Sequence, residues 1–158
     1  MQQFSFSFER TTVPALPADV QELIAAAKAA VQRAYAPYSN FRVGAAVRLA
    51  DGTIRIGANH ENASYPAGVC AERSILYTLD PTNPNEHVKA IGICYQGRPD
   101  AHEPLAPCGI CRQVLLETQL TQGFPIEVYM CGPDGDVLHI SDASMLLPFY
   151  FSGEHLPE

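Results

Sequence analysis

The 158-residue sequence predicts an α/β fold: a sandwich in which one sheet is covered by helices on both faces. Three observations predict it. Apolar runs of strand character (residues 43–49, 53–58, 88–95, 126–131 and 137–140) are interspersed with helical windows at 18–34, 70–79 and 108–120. Asp51-Gly52 and Pro133-Asp134-Gly135 separate neighbouring runs with turn residues. No internal repeat, low-complexity tract or long linker divides the chain, so residues 18–158 read as a single domain preceded by an extension, residues 1–17.

In the extension, Phe4, Phe6 and Phe8 alternate with polar residues, which suggests a short extended segment packing on the surface or on a neighbouring subunit; a loosely ordered leader is the equal alternative. The window 18–34 places Val20, Leu23, Ile24, Ala27 and Val31 at helical spacing, with Asp19 near its positive end. Pro37 bars continuation past Ala36. Runs 43–49 and 53–58 flank the Asp51-Gly52 turn as a hairpin, and Phe41 just before them reads as a core aromatic. Residues 59–69 form a loop rich in Asn, Ser, Pro and Gly. Residues 70–79 then read as helix without Gly or Pro, and 88–95 as an apolar strand that buries Cys94. After a loop at 97–107, Pro107 suits the start of the helix 108–120. Strand 126–131 buries Cys131, and Asp142 can cap a short helix over 143–147.

Hydrophobic residues make up 47% of the chain and charged residues 17%, the balance of a folded globule. The formal net charge of −7 disfavours tracking of a phosphate backbone and suits a small uncharged ligand, so no nucleic-acid partner is expected. No apolar run approaches the roughly 18 residues of a membrane helix, and the first residues lack signal-peptide character. A cytoplasmic location and no membrane partner are the expectation. Five cysteines do not pair off as disulfides; in a reducing compartment such residues are metal ligands or core.

The chemistry concentrates in Gly68-Val69-Cys70-Ala71-Glu72-Arg73 and Pro107-Cys108-Gly109-Ile110-Cys111-Arg112. Cys70, Cys108 and Cys111 can hold one zinc ion and leave its fourth position open, the mark of a catalytic rather than a structural site. Glu72, two residues past the first thiol, fits a proton shuttle for a water activated there. Both thiol segments open helices, whose positive ends stabilise thiolates. A closed structural zinc, with Cys94, Cys131 or a histidine as fourth ligand, is the alternative, but it gives Glu72 no role. Asn59 and Glu61 lie two apart, so an extended backbone turns both to one side, where they suit hydroxyl groups; turn and cap chemistry is the competing reading.

These segments, with Tyr38-Ser39-Asn40-Phe41-Arg42-Val43-Gly44-Ala45-Ala46, Asn59-His60-Glu61-Asn62-Ala63-Ser64-Tyr65-Pro66 and Leu146-Leu147-Pro148, resemble the small homotetrameric zinc-dependent cytidine deaminases of nucleoside salvage across roughly residues 20–156. The resemblance implies a three-layer α/β/α fold with a five-stranded mixed sheet. It also implies one zinc per chain and hydrolytic deamination of cytidine and deoxycytidine, with Glu72 as the catalytic acid–base. Phe41 would pack on the pyrimidine, the Ala71 amide would bond its O2, and Asn59 and Glu61 would bind the sugar 3′-hydroxyl. His60, between them, would point away. Arg73 would hydrogen-bond the zinc thiolates, although an isolated helix arginine is ordinarily a surface charge. In a homotetramer with sites at subunit interfaces, Phe151 or Tyr65 would reach a neighbour's pocket; Phe149 and Tyr150 stand where relatives carry small residues. Deaminases of other aminated bases and of nucleic acids share the zinc motif. The Asn59/Glu61 pair favours a ribose-bearing substrate over the former, and the acidic balance a free nucleoside over the latter.

Overall fold

The structure, a computed structural model, describes residues 1–97 and 100–157. Two residues of the predicted loop 97–107, Arg98 and Pro99, lie outside the described residues, as does Glu158.

A single mixed sheet organises the chain. Its strands are β1 (Glu9–Thr12), β2 (Arg42–Leu49), β3 (Ile54–Ala58), β4 (Val88–Gln96), β5 (Glu127–Cys131) and β6 (Asp136–Ile140), in the order β1-β6-β5-β4-β2-β3. Only β4 and β5 run parallel, in register Ala90↔Glu127 to Ile93↔Met130. Antiparallel hairpins account for β2–β3 and β5–β6. The first turns on Gly52, whose φ of 89° lies in the left-handed region open to glycine, and Asp51 accepts the Thr53 N–H at 2.8 Å beside it.

The sheet has six strands, not the five expected. The added one, β1, comes from the N-terminal segment and pairs with β6 from Glu9↔His139 to Thr12↔Asp136. Its sequence, Glu-Arg-Thr-Thr, carries no hydrophobic alternation, because an edge strand with exposed side chains needs none. The ladder begins just after the Phe4-Phe6-Phe8 alternation, whose rings stay exposed with centroids 6.3 and 6.4 Å apart. Arg10 fastens the strand further, bonding Asp136 at 2.7 Å and Glu103 at 3.2 Å.

Alternation along the central strands divides the core into two layers. Ala46, Ala90, Cys94, Tyr129 and Cys131 face α1 (Ala18–Ala30), which buries Val20, Leu23, Ile24 and Ala27 against them. Ala45, Val47, Ile91, Ile93 and Val128 face the opposite way, towards α2 (Ala71–Leu76) and α3 (Gly109–Gln122), which contribute Ile75 and Leu115. The helix of the window 18–34 ends in a 3-10 turn, Val31–Arg33. In the window 70–79 the helix stops at Leu76. There the Thr78 N–H and hydroxyl both bond the Ile75 carbonyl, at 2.8 and 2.7 Å, and tighten the last turn. The short helix expected over 143–147 is a 3-10 helix, Ala143–Leu146, capped as expected by Asp142, and a further 3-10 turn, Gly153–His155, follows it. Among the described residues, no helix is long and apolar enough to cross a membrane.

Two glycines set the helix-to-sheet distances. A Cβ on Gly57 would lie 2.3 Å from Ser74 Oγ and 3.0 Å from the Ala71 carbonyl, so α2 rests directly on β3. On Gly44 it would lie 2.3 Å from the Ala27 carbonyl and 2.4 Å from the Val31 nitrogen, both backbone atoms that cannot swing aside. We expect Gly44→Ala to cost about 3 kcal/mol by overpacking, read as a fall in the midpoint of urea unfolding against the parent chain. An unchanged midpoint would show that α1 can lift off β2 at little cost.

Candidate active site

The helices α2 and α3 share one face of the sheet and bring their N-termini together. Cys70 is the N-cap of α2 and Cys108 the N-cap of α3, while Cys111 lies in the first turn of α3. The backbone of each cap is extended, with ψ of 158° and 164°, and neither thiol is spent on capping its own helix by a hydrogen bond. Arg112 braces the approach to α3, bonding the Pro107 carbonyl at 2.8 Å and the Leu146 carbonyl at 3.1 Å.

The three sulfur atoms lie within 4.8 Å of one another, Cys70 to Cys108 at 3.7 Å and Cys108 to Cys111 at 3.4 Å. A tetrahedral zinc with Zn–S bonds of about 2.3 Å sets its sulfurs about 3.8 Å apart, so the free thiols already stand near the spacing of a zinc site. This is the only such cluster among the described residues. Cys94 and Cys131 are buried under α1, across the sheet, and no histidine joins the group. Three protein ligands and no fourth fit a catalytic rather than a closed zinc.

Hydrogen bonding favours the thiolate at Cys70. The Cys70 thiol is lowered to about 5 by hydrogen bonding from Cys111, with Arg73 and Cys108 adding to the effect against the cost of burial. The Cys111 thiol is correspondingly raised, as the partner that keeps the proton beside Cys70. Arg73 Nη2 lies 4.0 Å from Cys70 Sγ and 3.4 Å from the Gly68 carbonyl. Its Nε is buried and, among the described residues, without a hydrogen-bond partner. A guanidinium held there offsets the excess charge of three thiolates on a divalent ion.

Glu72 is only 4% exposed. Burial raises its pKa above the ordinary carboxylate range, and the neighbouring Cys70 charge raises it further. A buried carboxyl group with a raised pKa beside a metal-ligand cluster is suited to proton transfer.

A cleft of about 640 Å³ opens onto these groups, lined by Cys70, Glu72, Arg73 and Cys108 together with Phe41, Asn59 and Glu61. Phe41 does two things: one face stacks on Tyr95 with centroids 5.3 Å apart, and the ring also borders the cleft. Asn59 Oδ1 accepts the Val43 N–H at 2.7 Å, and its Nδ2 donates to the Phe41 carbonyl at 2.9 Å. Glu61 accepts the Tyr38 and Ser39 N–H groups at 2.9 and 3.3 Å together with the Ser39 hydroxyl. Thus both residues hold the turn before β2 and line the cleft as well. His60 rests against Tyr35, ring centroids 4.7 Å apart and planes tilted by 31°, and it is itself among the residues lining this cleft. Ala71 is fully buried at the start of α2, and Tyr65 stands 79% exposed at the cleft rim. Phe151 is not brought to this cleft. It borders a second one of about 650 Å³ between α2, α3 and the C-terminal tail, where Gln113 Nε2 donates to its carbonyl at 2.9 Å. Sequence reasoning assigned no role to Ser39; a serine in a loop gives no periodic signal, and only its hydrogen bonds reveal it.

A mixed sheet between helical layers, with two helix N-termini presenting three thiols beside a buried carboxyl group, defines a zinc-dependent hydrolytic site. Comparison with known proteins agrees. The family described as "Cytidine and deoxycytidylate deaminase zinc-binding region" matches residues 17–124. A cytidine deaminase of Sporosarcina psychrophila is 40% identical over 138 residues, 87% of this chain and 95% of that protein. The crystal structure of cytidine deaminase from Burkholderia pseudomallei is 43% identical with a TM-score of 0.70, covering 83% of this chain and 98% of that one. That of the Mycobacterium tuberculosis enzyme is 32% identical with a TM-score of 0.65, covering 86% and 99%. The chain belongs to the cytidine and deoxycytidylate deaminase zinc-binding family.

Proposed function

We propose that the protein is a zinc-dependent cytidine deaminase that hydrolyses cytidine and deoxycytidine to uridine and deoxyuridine, releasing ammonia, in pyrimidine salvage. The observation that carries this reading is a buried carboxyl group, Glu72, set beside three converging thiols, at a cleft that Phe41, Asn59 and Glu61 also line.

Zinc held by Cys70, Cys108 and Cys111 would supply Lewis acidity that lets a water lose its proton near pH 7. Phe41 offers an aromatic face to the pyrimidine, and the Ala71 amide, at the start of α2, is a donor for its O2. Asn59 and Glu61 would meet the sugar 3′-hydroxyl: the Asn59 amide keeps one N–H beyond the bond to Phe41, and the Glu61 carboxylate keeps acceptor capacity. Glu72 takes the proton of the attacking water and delivers it to ring N3, which makes C4 electrophilic. A new C4–O bond forms; Glu72 then takes the proton that remains on that oxygen and passes it to the amine, and the C4–N bond breaks as the C4 carbonyl forms and ammonia departs. Arg73 balances the thiolate charge throughout.

In this reading residues 18–158 form the catalytic domain, and residues 1–17 are an extension whose β1 extends the sheet edge. The protein acts in the cytoplasm on free nucleosides, as a homotetramer in which Phe151 of one copy completes a neighbour's site and Tyr65 closes the rim. The exposure of both aromatics supports this, 57% for Phe151 and 79% for Tyr65.

The test is cytidine turnover, followed by the absorbance change to uridine, with zinc quantified in the same sample. Turnover with about one zinc per chain is the expected result. One zinc per chain with no turnover of either nucleoside would overturn the substrate assignment.

A further inference from the structure

One side-chain hydroxyl links Glu61 to the backbone of the turn leading into β2. Ser39 Oγ donates to Glu61 Oε1 and accepts the Phe41 N–H at 3.0 Å. Between them Asn40 takes φ of 56°, the left-handed region that asparagine tolerates better than most residues. That conformation folds Ser39 back over the Phe41 amide. Asn59 secures the other side of the same residue by bonding the Phe41 carbonyl at 2.9 Å.

Glu61 has little freedom left. Its carboxylate has about four acceptor directions, and the Tyr38 N–H, the Ser39 N–H and the Ser39 hydroxyl take three of them. The remaining one is available to a single ligand hydroxyl. The hydrogen bonds to the carboxylate, that of the Ser39 hydroxyl above all, also hold its pKa below the ordinary range, so it remains an acceptor at neutral pH.

We infer that Ser39 is a positioning residue for the reaction: its hydroxyl aims Glu61 at one sugar hydroxyl and sets the Phe41 backbone behind the base. Sugar recognition and base packing are thereby coupled through one side chain. The inference rests on the proposed role of Glu61 as the acceptor of the sugar 3′-hydroxyl. Ser39 touches neither the sulfur cluster nor Glu72, so its loss acts on binding and orientation rather than on proton transfer.

The experiment compares cytidine with 3′-deoxycytidine as substrates of the zinc-loaded enzyme. For the parent, kcat/KM should favour cytidine, since a site built around a hydroxyl rejects the analogue lacking it. In Ser39→Ala, KM for cytidine should rise about tenfold with kcat changed far less, and the preference for cytidine should shrink by about the same factor. Ser39→Thr, which keeps the hydroxyl, should restore both. A Ser39→Ala enzyme with the parent's preference and KM, or one losing kcat equally on both substrates, would overturn the inference while leaving the role of Glu61 intact. A parent enzyme with equal kcat/KM on the two nucleosides would instead remove Glu61 as the 3′-hydroxyl acceptor, and the inference with it.

Discussion

Replacing Glu72 by glutamine is expected to leave about one zinc per chain and to lower kcat about 10⁴-fold. Glutamine keeps the shape and packs in the same buried space, but its amide can neither take a proton from water nor deliver one to the pyrimidine. One carboxyl group serves both transfers in the proposed reaction, so no second residue inherits either step. The zinc should stay, because the carboxyl group lies outside the group of three sulfurs that converge to metal-ligand distances. Stability separates loss of chemistry from loss of fold. Burial raises the Glu72 pKa, so its ionised form is the less comfortable one in the folded protein above the ordinary carboxylate range. Removing the ionisable group removes that cost, and the variant should melt no lower than the parent. The checks are metal analysis, nucleoside turnover and a thermal scan on one preparation. Substantial turnover by a zinc-loaded, folded Glu72→Gln protein would refute the acid–base assignment.

What the sequence disclosed, and what it hid, follows from how locally each feature is encoded. Cys70 with Glu72, and Cys108 with Cys111, could each be read locally, because each pair sits within one helix start where spacing fixes direction; that the two pairs meet was legible only through the resemblance to zinc-dependent cytidine deaminases. The helix α1 and the hairpin at Gly52 could be read for the same reason, from apolar periodicity and from a residue pair whose backbone freedom forces a turn. The strand β1 could not. Its four residues are polar, and their partner β6 lies more than a hundred residues away, so nothing local marks the pairing. The paired role of Asn59 and Glu61 was half visible: the spacing placed both on one side, but their bonds to Phe41, Val43, Tyr38 and Ser39 depend on a turn brought alongside by the fold. Phe151 marks a different limit. Its place on the second cleft is a property of one chain, whereas its proposed role belongs to an assembly of several.

Removing one thiol should have the opposite signature to removing the carboxyl group. In Cys108→Ala we expect zinc to fall from about one to below about 0.1 per chain after dialysis, with turnover lost in proportion. Cys108 is the most exposed of the three sulfur residues and caps α3, while Cys111 is fully buried. Alanine at 108 therefore deletes a ligand without opening a core cavity, which makes it a cleaner test than Cys111→Ala. Two thiols alone make a poor site for a metal that prefers four close ligands. Because zinc binds the folded chain, its loss also removes stabilisation that grows with zinc concentration, and the variant should no longer gain melting temperature when zinc is added. Chelation of the parent should reproduce both effects, and readdition of zinc should reverse them in the parent alone. Stoichiometric zinc in Cys108→Ala would show that the metal is held elsewhere and overturn the three-cysteine assignment. Cys94→Ala is the matching control: that thiol lies beneath α1, across the sheet from the cluster, so its loss should leave zinc content unchanged.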